Sequence, residues 1–486
     1  MTRRWRLWVP AGIAALAFLS RLVPVLRGGG LFGVDNYDPS VYYAAAVGLF
    51  TGRLPYRDFL LLHPPGILIA LQPFAALGAL VGDPVAMASA RIAFMLLGVV
   101  STLLIYRILL PQHHYAALVG AGAYAVWYPA VYSERSVRLE AVATFVVLLG
   151  ILLLQRWLTK PSWILMFGAG AMFGLGVVTK IWGVVPVAVL VSWLLWRHGW
   201  RNAAIALGGA LAGIVLVCAP FAMAGPEMWR MVILDQLGRP RTAALVIAGR
   251  FVDILGLGFL PRVVAIAPVL ILGVATLAAL WLAWRSRLGQ LFVLLTLASG
   301  LTLLASPTWF GHYAGFLAAP LCLTYGTAFG EFLKVTATQK YRRVAMVVVM
   351  TGLGLIGTVV MAKLDGTPLE GEQLASLLAD RPGCVTTDNP TTLIFSNTLR
   401  RNFAAGCPFV ADLGGYIYDL DRTGGPIRRA SNPAFQRLAL RYLGSGTTAA
   451  LIRFGPGDLS RRSTRLIETW PVVGHPGSVV LRQPSR

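Results

Sequence analysis

The chain has 486 residues, 57% of them hydrophobic and 13% charged, with a formal net charge of +22. A single water-soluble core cannot absorb that much apolar surface, so the composition specifies a polytopic membrane protein. The basic excess does not specify a nucleic-acid partner, because much of it falls in short gaps between apolar runs: Arg3, Arg4 and Arg6; Arg156 and Lys160; Arg197 and Arg201; Arg285 and Arg287; Lys340, Arg342 and Arg343. That is positive-inside patterning, which sets topology and attracts anionic headgroups.

The opening run MTRRWRLWVPAGIAALAFLS has the charge order of a signal peptide but no convincing small-residue cleavage site. Many spans follow it, so it reads as an uncleaved first helix with a cytoplasmic N-terminus. Spans are predicted over 7–26, 85–109, 115–132, 138–157, 162–179, 181–196, 203–224, 263–284, 289–305, 312–333 and 343–362, about eleven in all. The run Val263–Trp284, without a charge, is long enough to cross about 30 Å of hydrocarbon. Alternating barrel strands are absent, so helices are the spanning element.

With the N-terminus inside, the basic gaps fall on the cytoplasmic face. The outer face then carries a first loop over 28–84, the Tyr132–Glu140 region, a second large loop over 225–262 and the tail from Asp365. Within the first loop, Gly66–Val81 is apolar but short and is stopped by Gly82-Asp83-Pro84, as expected of an interfacial helix. Lys180 interrupts the apolar region 162–196, suggesting a hairpin tip. The tail mixes β-prone runs (Gly383–Thr387, Thr448–Phe454, Ser478–Leu481) with helical stretches (Gly371–Asp380, Asn432–Leu443). The predicted fold is mainly α: a membrane domain over 1–364 and a mixed α/β extracytoplasmic domain over 365–486. Cys218 and Cys322 lie in apolar runs and read as packing residues; Cys384 and Cys407 lie in the tail and can pair as a disulfide if it is extracytoplasmic.

Chemistry concentrates outside. Asp38 precedes Pro39 in V-D-N-Y-D-P-S, which suits an N-cap opening a helix through Val41–Phe50; its carboxylate can also take a proton from a hydroxyl. Asp35 sits three residues earlier, as a turn residue or a second carboxylate of the same site, where a divalent ion is conceivable but not expected. Asp58 reads as an ion-pair or turn residue with Arg57. His63-Pro64-Pro65-Gly66 is a rigid turn whose His can meet a phosphate oxygen or a sugar hydroxyl. Glu140 opens a long apolar run and must be paired or wet, while Arg138, two residues earlier, does not face it. Arg239 and Arg241 flank Pro240 as in a phosphate clamp, or as headgroup contacts. His312 and Tyr313 stand at the outer mouth of a late span within an aromatic belt. Tyr42, Arg138, Glu140, His312 and Tyr313 are the candidate pocket residues. No nucleotide-binding phosphate loop, zinc-ligand spacing or nucleophile elbow occurs in the sequence.

Y-D-P-S-V-Y-Y-A-A-A, G-R-L-P-Y-R-D-F, H-P-P-G and then Ala88–Arg91 at the start of a span resemble the opening of the C-type (GT-C) integral-membrane glycosyltransferases. The nearest branch is that of the protein O-mannosyltransferases and lipid A aminoarabinose transferases, in particular the actinobacterial polyprenyl-phosphate-sugar enzymes. The tail segments G-C-V-T-T-D-N-P and G-C-P-F-V-A-D resemble the extracytoplasmic domain of such members, and the resemblance covers nearly the whole chain. It implies a bacterial plasma-membrane enzyme that moves a sugar, by default mannose, from a polyprenyl-phosphate donor to a hydroxyl of a glycan, lipoglycan or protein. The reaction would be an inverting single displacement without a cofactor. Asp38 would be the base, where the family often has Asp-Glu and this chain has Asp38-Pro39. The carrier phosphate would meet His63, Lys180, Arg239 or Arg241; the family often has Lys in place of His63, and Ile181 replaces the Gly that usually follows Thr-Lys. A transporter or flippase of a lipid-linked saccharide is the alternative. It predicts inverted repeats with broken midplane helices, which the sequence does not show.

Overall fold

The computed structural model describes residues 5–239, 247–335, 338–364, 366–420, 429–453 and 459–485. The chain divides into two compact units. One takes in Met1–Val25, Ile92–Cys218 and Thr242–Asp365; the other takes in Leu26–Arg91, Ala219–Arg241 and Gly366–Arg486.

The first unit is helical. Over the described residues of the whole chain, nine helices are long and apolar enough to cross a membrane: Trp8–Arg27, Asp83–Leu109, Leu139–Thr159, Ile181–His198, Trp200–Leu237, Val264–Ala283, Arg287–Ala305, Gly311–Val335 and Lys340–Lys363. Two predicted spans are shorter. The run over 115–132 breaks where Pro129 follows Tyr128, giving His114–Val126 and Tyr128–Glu134. The run over 162–179 forms the 17-residue helix Trp163–Thr179. That short helix packs against Trp200–Cys218 through small residues on both partners. A Cβ on Gly170 or Gly174 would lie 1.9 Å from Ala206 O or 2.1 Å from Ala210 O, and a Cβ on Gly209 would lie 2.0 Å from Phe167 O. Two small-xxx-small faces thus let the backbones touch, which is how helices associate where lipid removes the hydrophobic drive. Arg21, fully buried, anchors the first helix. Its Nε lies 2.9 Å from Glu134 Oε2, its Nη1 donates to Ala17 O and Ala125 O, and Glu134 Oε1 accepts from Tyr124 Oη.

The second unit joins the first-loop region to the tail. Val34 and Thr367 exchange backbone hydrogen bonds (2.7 and 2.8 Å). The helices Asp38–Phe50 and Gly66–Val81 pack together. Tyr43 Oη and Arg400 Nε both reach Asp83 Oδ1 at 2.9 Å. The tail builds a four-stranded sheet from β1 (Val385–Thr387), β2 (Thr448–Leu451), β3 (Val472–Gly474) and β4 (Val480–Arg482), in the order β1-β2-β4-β3. β1 pairs parallel with β2, and the other pairs are antiparallel. The helix Pro433–Leu443 covers the sheet with Phe435, Ala439 and Leu443 in the core. Cys384 and Cys407 are joined as a disulfide, Cα–Cα 5.6 Å. It ties the residue before β1 to the segment following the helix Leu399–Ala404.

Candidate active site

Asp38 is the first residue of the helix Asp38–Phe50, and the cap position belongs to Tyr37, which makes no side-chain cap bond. The expected N-cap role of Asp38 is therefore corrected: Pro39 needs no N–H partner in the first turn, and Asp38 contributes its charge to the helix N-terminus from inside that turn. Asp38 and Asp35 are both half-buried. Tyr42 lies one turn after Asp38, on the same helix face. Its ring meets that of His63 edge-to-face at 5.5 Å. His63 is fixed in turn by Tyr56 Oη, which donates to His63 O at 2.8 Å. Tyr56 sits at a positive φ of 70°, held by its N–H to Phe59 O at 2.9 Å. Asp58 closes this turn by accepting from Leu54 N–H (2.7 Å) and pairing with Arg57 (2.8 Å). The Arg57 hydrogen bond holds the Asp58 carboxyl below the usual carboxylate range.

The 219–241 segment reaches the same turn, where Gln236 Nε2 donates to Leu62 O at 2.7 Å. Arg239 follows, buried, with its guanidinium 4.2 Å above the Tyr418 ring, and Arg230 pairs with Asp419 at 3.1 Å. Arg241 lies outside the described residues.

The sequence did not single out the residues that grip the turn carrying Asp38. The Ser40 hydroxyl lies 2.7 Å from Tyr37 O and 3.1 Å from Asn389 Oδ1. Gly414 N–H donates to Tyr37 Oη at 3.1 Å, and the Arg453 guanidinium stacks 3.6 Å over the Tyr37 ring. Asp388 orients Arg453's backbone by accepting Ile452 N–H (2.9 Å) and Arg453 N–H (2.8 Å). Burial first, and then the Asp412 charge, pushes the Tyr37 phenol well above its ordinary value, so it stays neutral. Residues 37 and 40, on either side of Asp38-Pro39, are thus held by the tail. The D-N-P and A-D segments of the tail were the available signal.

In the membrane unit, Lys180 follows the end of the helix Trp163–Thr179 in extended backbone. Its ammonium pairs with Glu140, in the first turn of Leu139–Thr159, and both side chains are buried. The Lys180 Nζ also sits 4.4 Å from the ring centroids of Trp182 and Tyr313, and His312 Nε2 lies 4.0 Å from Glu140 Oε1. Lys180, Glu140, His312 and Tyr313 therefore form one cluster, in which a buried carboxylate and ammonium satisfy each other. The Arg138 guanidinium lies over the Tyr132 ring, 4.1 Å from its centroid. Among the described residues, no group of three or more His, Cys, Asp or Glu side chains gathers as a metal site would require.

Residues 63–223 match the family model described as dolichyl-phosphate-mannose-protein mannosyltransferase. Among solved structures, ArnT from Cupriavidus metallidurans bound to undecaprenyl phosphate is similar, with a TM-score of 0.64 at 15% identity, covering 99% of this chain and 98% of that one. The fold is that of the C-type membrane glycosyltransferases. The apo oligosaccharyltransferase of Archaeoglobus fulgidus has it too, at a TM-score of 0.61 and 12% identity, over 92% of this chain and 70% of that one. So does the same organism's AglB in complex with an inhibitory peptide and a dolichol-phosphate, with a TM-score of 0.56 at 11% identity over 92% and 69%. Comparison with curated protein sequences returns no match. A chain with this GT-C fold and nine helices, among its described residues, long and apolar enough to cross a membrane is a multi-pass membrane protein.

Proposed function

We propose that the protein transfers a sugar from a polyprenyl-phosphate carrier to an acceptor hydroxyl, with Asp38 as general base. The observation that carries this reading is the arrangement around Asp38: a half-buried carboxylate on a clamped helix turn, with Tyr42 one turn on against His63. The acceptor oxygen would form its bond to the anomeric carbon as the bond from that carbon to the phosphate oxygen breaks. The acceptor proton passes to Asp38, and the polyprenyl phosphate leaves with the electron pair, inverting the anomeric centre. Asp35 is assigned a supporting carboxylate role. His63, Arg239, Arg241 and Lys180 are the candidate cations for the phosphate charge developing in the transition state. Arg138, Glu140, His312, Tyr313 and Tyr42 are assigned to substrate contact.

A lipid-linked donor is supported by two similar structures, solved with undecaprenyl phosphate and dolichol-phosphate respectively. Mannose is the default sugar because the matching family description names it. The acceptor is proposed to be a glycan, lipoglycan or protein outside a bacterial plasma membrane, with the N-terminus cytoplasmic and the tail extracytoplasmic. Purified protein in liposomes is to be supplied with labelled polyprenyl-phosphate mannose, arabinose, galactose and glucose together with cell-envelope acceptors. Label appearing in a carrier-free product supports the reading. Carrier-linked sugar that only changes leaflet overturns it in favour of transport.

A further inference from the structure

We propose that the tail holds a second saccharide site, a groove between the helices Pro433–Leu443 and Arg461–Glu468 that takes an anionic oligosaccharide segment. The two helices face each other with matching stripes. Pro433, Gln436, Arg437 and Leu440 recur at i, i+3, i+4 and i+7 on one; Arg462, Arg465, Leu466 and Thr469 do so on the other. That spacing puts each set on a single helix face. Between them is a cavity of about 800 Å³, within the range of small-molecule sites.

The groove is built rather than accidental. Gln436, largely buried, bridges its end: its Nε2 donates to Arg429 O at 2.7 Å and its Oε1 accepts from Ser460 N–H at 2.9 Å. Ser460 caps the second helix by accepting from Ser463 N–H at 3.1 Å. On the same two helices, Phe435, Ala439 and Ile467 are buried in the tail core.

The lining sets the ligand chemistry. Arg437, Arg462 and Arg465 are exposed, and none forms an ion pair with an acid among the described residues. Guanidinium forks match carboxylate and phosphate groups in bidentate geometry. Ser431, Ser460 and Thr469 add hydroxyls, and Leu440 and Leu466 offer aliphatic surface for the apolar face of a sugar ring. A polyhydroxylated anion uses all three features. A flat membrane surface would use the arginines but not the concavity.

The site is read by binding, without turnover, so its result is separate from that of the transfer reaction. Full-length protein in nanodiscs is titrated with trigalacturonate, neutral maltotriose and pentaglutamate, and floated with phosphatidylcholine vesicles with and without phosphatidylglycerol. The inference predicts saturable trigalacturonate binding that weakens with salt, maltotriose binding at least about tenfold weaker, and a further loss of at least about tenfold in an Arg437→Gln/Arg462→Gln/Arg465→Gln variant. A Leu440→Asn/Leu466→Asn variant, which keeps every charge, should also weaken trigalacturonate binding. It is overturned if the arginine variant binds as wild type does, if pentaglutamate binds equally well, or if only phosphatidylglycerol vesicles are captured. Circular dichroism and the retained Cys384–Cys407 bond establish that each variant is folded.

Discussion

Replacing Glu140 by Gln removes the carboxylate that pairs with the buried Lys180 ammonium. Both side chains are almost wholly inaccessible, Lys180 4% and Glu140 2% exposed. Breaking a buried pair from one side costs about 3–5 kcal/mol. For a helical unit of this size that lowers Tm by roughly 6–20 °C. Lys180→Met should cost a comparable amount by stranding Glu140. The double variant removes both charges, so most of the lost stability should return, with a coupling energy above about 2 kcal/mol. Transfer should not return, because the proposed function assigns the Lys180 charge to the carrier phosphate. The assay is thermal unfolding of detergent-solubilised protein for all four members of the cycle, with transfer measured on the same preparations. Single variants within about 1 kcal/mol of wild type would refute the pair as a structural contact. A double variant that regains transfer as well as Tm would refute the phosphate role of Lys180.

Asn389→Ala removes the acceptor that Ser40 Oγ and Thr391 N–H share, at 3.1 and 3.0 Å, while leaving Asp38 in place. Transfer should fall about tenfold, the equivalent of about 1.4 kcal/mol of positioning, with the pH profile unchanged; wild-type turnover would show that the tail does not orient the turn. Cys384→Ser with Cys407→Ser opens a crosslink of sequence separation 23 and should destabilise the second unit by about 3 kcal/mol, read by proteolysis of 366–486 with and without reductant. Tyr37, Tyr43 and Tyr442 are all held above the ordinary phenol value of 10, each first by burial. The folded state therefore favours the protonated phenols: their contribution is intact below pH 10 and is lost as pH rises from 10 through the folded-state values. The last part of the tyrosinate absorbance should appear only together with unfolding; ionisation of all 15 tyrosines near pH 10 with circular dichroism intact would contradict this.

What was legible in the sequence follows from where each signal lives. Uninterrupted apolar length is local, so most spans were readable, as were the Gly66–Val81 helix and the helix opening at Asp38-Pro39. The run over 115–132 misled because Tyr128-Pro129 breaks it without lowering its hydropathy. Two of the tail's helices, Gly371–Ala379 and Pro433–Leu443, and three of its four strands matched periodic or β-prone runs, whereas the short helices Thr391–Phe395, Leu399–Ala404, Tyr416–Leu420 and Arg461–Glu468 were not read. Val472–Gly474 is too short to show alternation and is defined by pairing with Val480–Arg482. Pairing across the chain was not legible. Nothing local links Arg21 to Glu134, 113 residues apart, or Ser40 to Asn389, 349 apart. Glu140 was legible as a residue that needed a partner, because charge is costly in an apolar run, but Lys180 was not marked as that partner. The joining of Leu26–Arg91 and Ala219–Arg241 with the tail likewise rests on contacts between distant segments.

Asp38 as general base is put to the test by the initial rate of sugar transfer from a polyprenyl-phosphate donor in liposomes, comparing wild type with Asp38→Asn, which keeps the size and removes the charge. With Asp38 as base the rate should fall about 10²–10⁴-fold with donor binding retained. A rate within a few-fold of wild type would contradict it.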